Sequence, residues 1–318
     1  MNQHPMDMPA IKAIVSQIFP AHPVHIERAT EGVSTIVYRV VYQNEAFYLR
    51  ILPEENASFA PEVAVHTRLC QMQVKVPEVI YFEHSNELLQ RSIMVTTEIK
   101  GRPICQSSFL SEEALHAILV DAGRDLAYIN SIPVDGFGWV ERDQLETEHL
   151  RAQWPTHRAF AFEDWDADLV FLARNALHAS EMTHLEQILS HYNSQLDVEQ
   201  GYLAHGDFDT NHIYQEGGRY TGVIDFGEIR GASRWYDLGH FHVRDGESLS
   251  YRGLPGLIRG YEESILLPSD YEQHIRFASI LINVRALAHS LQKSPANRYT
   301  QHQLEVLRED VATLQLFL

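Results

Sequence analysis

The sequence has few cysteines, fewer basic than acidic side chains, and no long apolar runs. Its two cysteines, Cys70 and Cys105, are too few for a disulfide framework or a thiolate metal site, so we expect a reducing, cytoplasmic location. The 43 acidic side chains against 25 basic ones give a formal charge of -18, which repels nucleic acids and anionic membrane surfaces. No uninterrupted apolar stretch could span a bilayer, and residues 1–14 show no export signal. We therefore expect neither a nucleic acid nor a membrane as a partner.

Short segments rich in β-branched and aromatic residues fill the first part of the chain. They predict strands at residues 24–27, 36–42, 46–52, 79–82 and 93–97. One helical pattern interrupts them at residues 61–72, and it starts with Pro61, a residue that favours the first turn of a helix. The first part is therefore predicted to be a five-stranded sheet with one helix.

A turn-forming segment at residues 99–103 marks a change of periodicity. Helical spacing follows at residues 113–129, 164–178, 181–196, 256–264 and 271–291. One β-rich interruption, residues 202–229, has the pattern of a hairpin with polar residues at both ends. Because 318 residues favour two domains over one, we divide the chain into residues 1–98 and 99–318.

The polar residues around the predicted hairpin have the chemistry that phosphoryl transfer requires. Asp207 ends the sequence His-Gly-Asp, His212 follows five residues later, and Asp225 comes directly after an apolar strand. A transferred phosphoryl group carries much negative charge, so its site must hold metal ions and also orient the attacking hydroxyl. Asp225 could bridge magnesium ions to the phosphates, and Asp207 could accept the proton of the hydroxyl.

The segment at residues 205–212, followed by Asp225 in Ile-Asp-Phe-Gly-Glu, resembles the aminoglycoside phosphotransferase family, whose fold is similar to that of protein kinases. Hygromycin-type and macrolide-type members have a similar loop. The family's metal position usually holds Asn; here it is His212, as in some antibiotic-phosphorylating members, and Asn211 lies one residue earlier. The resemblance implies that Asp207 is the catalytic carboxylate and that Asp225 and His212 bind Mg²⁺, with Asn211 as the alternative to His212.

Two further residues match the family's loop. Asp237, in Trp-Tyr-Asp-Leu-Gly, matches a carboxylate that holds the backbone of the catalytic loop, and His205 matches a histidine that keeps the shape of the loop. The resemblance implies a Mg-dependent small-molecule O-phosphotransferase with a bilobal, protein-kinase-like α+β fold. Residues 1–98 would be the nucleotide-binding lobe, with a five-stranded antiparallel sheet and a helix. Residues 99–318 would be a larger, mainly helical catalytic and substrate-binding lobe.

The family's phosphate clamp has counterparts in the first part of the chain. Arg50 on the third predicted strand matches the basic residue that binds the α- and β-phosphates, and Glu62 matches its partner on the helix. Protein kinases use lysine there, whereas several family members use arginine, whose planar fork can also bind phosphate oxygens. The resemblance thus implies ATP or GTP as the phosphoryl donor.

Two other segments match the family's nucleotide site. Ser34 and Thr35 lie in the turn between the first two predicted strands, where backbone N–H groups and hydroxyls would cover the phosphates. Main-chain groups near Glu98 and Lys100 match the hinge that would hydrogen-bond the edge of adenine or guanine. These four residues are expectations from the resemblance alone.

The acceptor is a hydroxyl-bearing small molecule whose identity the sequence leaves open. Glu228 lies next to the predicted reaction centre and could hold an ammonium group, as could an acidic run at residues 163–168 that also fits a solvated helix face. An aminoglycoside-like or other antibiotic is the first hypothesis. The alternatives are a metabolic kinase acting on a sugar, choline or homoserine, and a nucleotide-binding pseudokinase module.

Overall fold

The computed structural model describes residues 8–20, 25–29, 35–145, 147–249, 251–294 and 297–318. The chain forms two compact units. Met1–Lys100 and Glu141–Glu148 make up the first, and Gly101–Val140 and His149–Leu318 make up the second. The division after residue 98, with a functional role for each part, stays a prediction.

The first unit is built on a five-stranded antiparallel sheet. Its strands are β1 (His25–Arg28), β2 (Ile36–Tyr42), β3 (Glu45–Ile51), β4 (Val79–Asn86) and β5 (Arg91–Thr97), in the order β1-β2-β3-β5-β4. The predicted helix is α2 (Ala60–Gln71), so the predicted five-stranded sheet with a helix is confirmed. A helix that was not predicted, α1 (Met8–Ile18), places Ile11, Ile14 and Val15 in the core of the sheet, at the i, i+3, i+4 spacing of an amphipathic helix.

The second unit is mainly helical, as predicted. Its helices are α3 (Glu112–Ile129), α4 (His157–Ala161), α5 (Trp165–Asn175), α6 (Ala179–His191), α7 (Tyr236–Arg244), α8 (Leu254–Tyr261), α9 (Tyr271–Lys293) and α10 (Arg298–Gln315). Helices α4, α7 and α10 were not predicted. Among the helices of the described ranges, none has the length and apolar character needed to cross a bilayer.

Short strands complete the second unit. They are β6 (Arg102–Pro103), β7 (Pro133–Val134), β8 (Phe137–Val140), β9 (Ala152–Trp154), β10 (Gly201–Ala204), β11 (Ile213–Glu216), β12 (Arg219–Val223) and β13 (Arg230–Ala232). Strands β11 and β12 form the predicted hairpin, with Ile213 opposite Val223. Gly217 and Gly218 occupy its turn at φ values of 58° and 78°, where residues with a side chain are strained. β10 pairs with β7 and β13 in a separate five-stranded sheet.

A buried carboxylate joins three helices of the second unit. Asp310 of α10 is fully buried; its Oδ1 lies 2.8 Å from Nε2 of His242 on α7 and 2.6 Å from Nη1 of Arg276 on α9. Its Oδ2 accepts a hydrogen bond from the hydroxyl of Ser279 at 2.6 Å. The position of α7 is therefore fixed by polar contacts as well as by apolar packing.

Replacing Asp310 by alanine is expected to lower the free energy of unfolding by about 3–5 kcal/mol, because His242, Arg276 and Ser279 all lose their buried acceptor. Urea denaturation would measure the change. The matched control is Glu309→Ala, whose half-exposed side chain contacts Arg252 and Arg276 at 3.4 Å; it should cost less than about 1 kcal/mol. Equal losses in the two variants would contradict the role of the buried network.

Candidate active site

Strand β10 ends at Ala204, and the carboxylate of Asp237 fixes the chain immediately after it. The backbone N–H of His205 donates to Oδ2 of Asp237 at 2.8 Å, and that of Gly206 donates to Oδ1 at 2.9 Å. The side-chain amide of Asn130, at the end of α3, also donates to Oδ2 at 2.8 Å. Asp237 is fully buried and satisfied by three donors, so it holds the loop as its resemblance to the family motif implied.

Position 206 requires glycine. Gly206 has a φ of 89°, and a Cβ atom there would lie 1.9 Å from the carbonyl oxygen of Glu228. No side chain fits at that distance. The loop can therefore pass close to the segment that follows Asp225 only because residue 206 is glycine.

His205 has a structural role in this loop. Its Nδ1 accepts the backbone N–H of Asp207 at 3.3 Å, so the proton of the neutral ring lies on Nε2, which is 2.9 Å from the carbonyl oxygen of Ile224. Complete burial lowers the pKa of His205, which keeps the ring neutral. The ring thus ties the end of β10 to the end of β12.

Asp207 is the most accessible carboxylate of the loop, with 36% of its side chain exposed. Its Oδ1 lies 3.5 Å from Nε2 of His240, and its Oδ2 lies 3.7 Å from Nδ1 of His212. Burial alone would raise the pKa of Asp207, but the nearby His240, His212, His205 and Arg244 lower it below its usual value. The carboxylate is therefore ionised at neutral pH and can accept a hydrogen bond from a hydroxyl.

His212 and Asp225 face each other at the ends of the hairpin. Nδ1 of His212 lies 2.7 Å from the carbonyl oxygen of Asp207, to which it donates, and Nε2 lies 3.8 Å from Oδ2 of Asp225. Burial alone would lower the pKa of His212, but the carboxylates of Asp209, Asp207 and Asp225 raise it. Asp225 has a φ of 68°, a left-handed conformation that is costly for a residue with a side chain and that is concentrated at functional sites.

Asn211, the alternative to His212, is turned towards Asp209. Its backbone N–H and its side-chain amide donate to the buried carboxylate of Asp209 at 2.7 and 3.0 Å. Asp209 itself was not predicted as a site residue, yet Asp207, Asp209 and His212 offer ligand atoms that all lie within 4.8 Å of one another. Arg244 contacts Asp209 at 3.4 Å and offsets its charge.

One face of α7 supplies most of the contacts to the catalytic loop. Asp237, His240 and Arg244 are spaced at i, i+3 and i+7, so they lie on the same side of the helix. They contact the loop at the N–H groups of residues 205–206, at Asp207 and at Asp209, respectively. Of the three, only Asp237 was predicted, although the spacing of the three polar residues was visible in the sequence.

Glu228 lies at the rim of the same centre and is already paired. Its Oε2 lies 3.0 Å from Nη2 of Arg230, whose guanidinium lies over the rings of Trp139 at 4.2 Å and Tyr236 at 5.1 Å. Glu228 and Asp207 both line a cavity of about 740 Å³ in the second unit. The predicted substrate-binding residue thus lies on the same cavity as the predicted catalytic residue.

In the first unit, the predicted phosphate clamp is assembled. Nη1 of Arg50 on β3 lies 2.6 Å from Oε2 of Glu62 on α2, and 11% and 3% of the two side chains are exposed. Arg142 contacts the other carboxylate oxygen of Glu62 at 3.3 Å. The pair is therefore well enclosed, and its role in binding phosphates stays a prediction.

The other predicted nucleotide residues are also in the first unit. Thr35 is buried and directly precedes β2, whereas Ser34 lies outside the described residues. The side chain of Glu98 accepts hydrogen bonds from Arg39 at 3.3 Å, which leaves the predicted recognition of a base to the main chain. Lys100 is the last residue of this part of the unit.

The chain is similar in sequence to known proteins. The model of a family described as "Phosphotransferase enzyme family" matches residues 25–274. An aminoglycoside 3'-phosphotransferase of Enterococcus faecalis is 22% identical over 222 residues, which cover 68% of this chain and 77% of the relative.

Two groups of solved structures share the fold. A thermostable mutant of the aminoglycoside phosphotransferase APH(4)-Ia, in a ternary complex with ADP and hygromycin B, superposes with a TM-score of 0.65 at 16% identity, covering 95% of this chain and 98% of that chain. A complex of an APH(2")-type enzyme with GDP and kanamycin superposes with a TM-score of 0.58 at 14% identity. The superposition covers 95% of this chain and 98% of that chain. The predicted kinase-like α+β fold is thereby confirmed.

Asp237→Asn is expected to loosen the catalytic loop, because an amide has a single acceptor oxygen and would turn its NH₂ group towards a backbone donor. We expect the free energy of unfolding to fall by about 1–3 kcal/mol. Hydrogen exchange of the amides of His205 and Gly206, followed by mass spectrometry, should become faster. The matched control is Asp245→Asn, since Asp245 accepts the backbone N–H groups of Gly253 and Leu254 elsewhere in the unit. Loop exchange that rises equally in both variants would contradict a local role for Asp237.

Proposed function

Since the chain belongs to the phosphotransferase enzyme family, we propose that it transfers the γ-phosphoryl group of ATP or GTP to a hydroxyl of a small molecule, an aminoglycoside-like or other antibiotic. The observation that carries the proposal is the arrangement of Asp207, His212 and Asp225 at the ends of β10 and the β11–β12 hairpin. The relative from Enterococcus faecalis is an aminoglycoside 3'-phosphotransferase, and solved neighbours contain ADP with hygromycin B or GDP with kanamycin.

Asp207 is the proposed catalytic carboxylate. It accepts the hydrogen bond, and then the proton, of the acceptor hydroxyl while the hydroxyl oxygen bonds to the γ-phosphorus and the bond to the β,γ-bridging oxygen breaks. The low pKa of Asp207 makes it a weak base, which suits a largely dissociative transition state in which orientation matters more than basicity.

Magnesium is the proposed metal, with His212 and Asp225 as its protein ligands. Nε2 of His212 and Oδ2 of Asp225 are 3.8 Å apart. With bonds of about 2.0–2.1 Å, two ligands of one octahedral ion are about 3 Å apart at right angles and about 4 Å apart when opposite, so both atoms can reach one ion. The bound ion would neutralise charge on the phosphate oxygens. Since Asn211 already hydrogen-bonds Asp209, His212 is the better candidate.

Arg50, supported by Glu62, is the proposed contact to the donor's α- and β-phosphates, and Ser34, Thr35 and the main chain near Glu98 and Lys100 complete the proposed nucleotide site. We also propose a cytoplasmic location, where nucleoside triphosphates are available. Both cysteines are free thiols in the structure, which agrees with a reducing compartment.

The experiment that tests the proposal is a phosphotransfer panel that combines ATP and GTP with hygromycin, kanamycin, a macrolide, choline, homoserine and simple sugars. Phosphorylation of an antibiotic would support the proposal. Phosphorylation of a metabolite alone would point to a metabolic kinase, and tight nucleotide binding without any acceptor would point to a pseudokinase module.

Asp207→Ala is expected to lower kcat by about 10²–10⁴-fold, the usual contribution of a positioned acid–base group, while nucleotide affinity stays close to that of wild type. Steady-state kinetics and calorimetric titration with nucleotide would measure the two effects. Asp197→Ala is the control, because Asp197 is an exposed surface residue paired with Arg158. Wild-type turnover in Asp207→Ala would refute the assignment.

Asp225→Ala is expected to give a different signature. Because Asp225 is the proposed protein ligand of the Mg²⁺ that would accompany the nucleotide, its loss should weaken binding of the magnesium nucleotide by at least about tenfold while leaving binding of the metal-free nucleotide unchanged. Titrations with and without Mg²⁺ would separate the two. Unchanged affinity in the presence of Mg²⁺ would exclude Asp225 as a ligand.

A further inference from the structure

A further basic residue, Arg142, lies at the predicted phosphate clamp. It belongs to the segment Glu141–Glu148, which is part of the first unit. Its Nη2 lies 3.3 Å from Oε1 of Glu62, whereas Nη1 of Arg50 lies 2.6 Å from Oε2. The two arginines thus divide the carboxylate between them, one at each oxygen.

The main chain holds the segment that contains Arg142. The backbone N–H of Ser58, two residues before α2, donates to the carbonyl oxygen of Arg142 at 2.6 Å. Gln144 is buried, and its side-chain amide donates to the carbonyl oxygen of Glu141 at 2.7 Å. The side chain of Arg142 can therefore be replaced while its backbone keeps its anchor beside the start of α2.

Glu62 needs a donor for each of its oxygens. Only 3% of its side chain is exposed, and a buried carboxylate oxygen without a donor is costly. An arginine and a carboxylate on their own frequently form two parallel hydrogen bonds, in which one guanidinium takes both oxygens. Because Arg142 occupies Oε1, Arg50 is left with Oε2.

The consequence is seen at Arg50. Among the described residues, its side chain makes one hydrogen bond, from Nη1 to Glu62, and its guanidinium lies over the buried ring of Phe59 at 5.2 Å from the centroid. A guanidinium has five N–H donors in a planar fork, so Nη2 and Nε keep donors for phosphate oxygens. A pair that took both oxygens of Glu62 would occupy an edge of this fork.

We propose that Arg142 is a positioning residue of the nucleotide site. It holds Oε1 of Glu62 and thereby leaves an edge of the Arg50 guanidinium to the α- and β-phosphates of the donor. Because Arg50 is assigned to the phosphates, this role rests on the proposed function. Arg142 acts through Glu62 and Arg50 and does not itself touch the nucleotide.

Calorimetric titration of Arg142→Met with ATP, GTP, adenosine and guanosine in the presence of Mg²⁺ tests this role. Methionine has no donor for Oε1, so Arg50 should close on Glu62, and affinity for the triphosphate should fall about tenfold, as for the loss of one charge-assisted hydrogen bond. Affinity for the nucleoside should stay unchanged. Unchanged triphosphate affinity, or an equal loss for the nucleoside, overturns the proposal.

Arg91→Met is the matched control. Arg91 also lies in the first unit, its side chain is 23% exposed against 27% for Arg142, and it pairs with Glu55. Its triphosphate affinity should equal that of wild type. A loss as large as that of Arg142→Met would mean that removal of any arginine of this unit weakens binding, which overturns the specific role of Arg142.

A double-mutant cycle separates positioning from direct contact. If Arg142 acts through Arg50, the double variant Arg50→Met/Arg142→Met binds the triphosphate no more weakly than Arg50→Met alone. Losses that multiply would show that Arg142 binds phosphates itself and would overturn the positioning role. Arg142→Lys keeps a charged donor and should bind within about threefold of wild type. A loss as large as that of Arg142→Met contradicts the role of Arg142 as a donor to Glu62.

Arg142→Gln is the second variant, used if Arg142→Met does not fold. Its side chain is polar but two atoms shorter than arginine, so with the backbone held in place its amide falls short of Oε1. The same loss of about tenfold is expected. Wild-type affinity for the triphosphate in folded Arg142→Gln overturns the proposal.

Binding and turnover separate the role of Arg142 from the proposed function. If triphosphate binding depends on Arg142 through Arg50 but no acceptor is phosphorylated, the role of Arg142 stands and the proposed function fails. If an acceptor is phosphorylated and Arg142→Met binds like wild type, the proposed function stands and the role of Arg142 fails. If wild type binds neither ATP nor GTP, both fail.

Discussion

The carboxylate of Asp237 is the interaction on which the rest of the candidate site depends. A loop that leaves a strand has backbone N–H groups without partners, and a buried N–H without a partner is costly. Asp237 accepts two of these groups and the amide of Asn130, so it joins β10, α3 and α7 at one point. The position of Asp207 follows from this point, because only one residue separates it from His205.

Nearby charges then determine the position and the ionisation state of the two carboxylates in the loop. Asp207 and Asp209 lie two residues apart, and their mutual repulsion would favour a different loop if nothing offset it. His240 and Arg244 of α7 provide the offset, and α7 is in turn anchored through His242 to the buried Asp310. Such buried ionic contacts seldom add much stability over apolar packing, so we interpret them as setting position and ionisation state.

Much of the fold was predictable from local patterns. Enrichment in β-branched and aromatic residues between turn-forming segments predicted all five strands of the first sheet, and a turn with two glycines predicted the β11–β12 hairpin. Helix α7 was missed because only nine residues form it, too few for a clear apolar period, and its polar face is directed at the loop. The small sheet around β10 was missed because strands of two to four residues carry little pattern.

Residues of the site could be predicted only where they belong to a recognised motif. The resemblance to a known loop pointed to Asp207, His212 and Asp225, and the pairing of Arg50 with Glu62 followed from the same comparison. The partners of Asp209 and Glu228 could not be predicted in this way. Arg244 reaches Asp209 from a helix 35 residues further along the chain, and Arg230 contacts Glu228 two residues away only because of the local turn of the backbone.

Helix α9 has consequences for how such a protein can evolve. One side of the helix is anchored to α10 by polar contacts, and the other side forms one wall of the cavity, where Leu281 and Ile282 lie beside Arg285 and His289. Substitutions on the wall change the shape offered to a ligand, whereas the loop that holds Asp207 is fixed by other residues. A few mutations on this wall could therefore exchange one acceptor for another while the residues that perform the reaction stay the same. In such a lineage the acceptor specificity changes easily, whereas the reaction is retained.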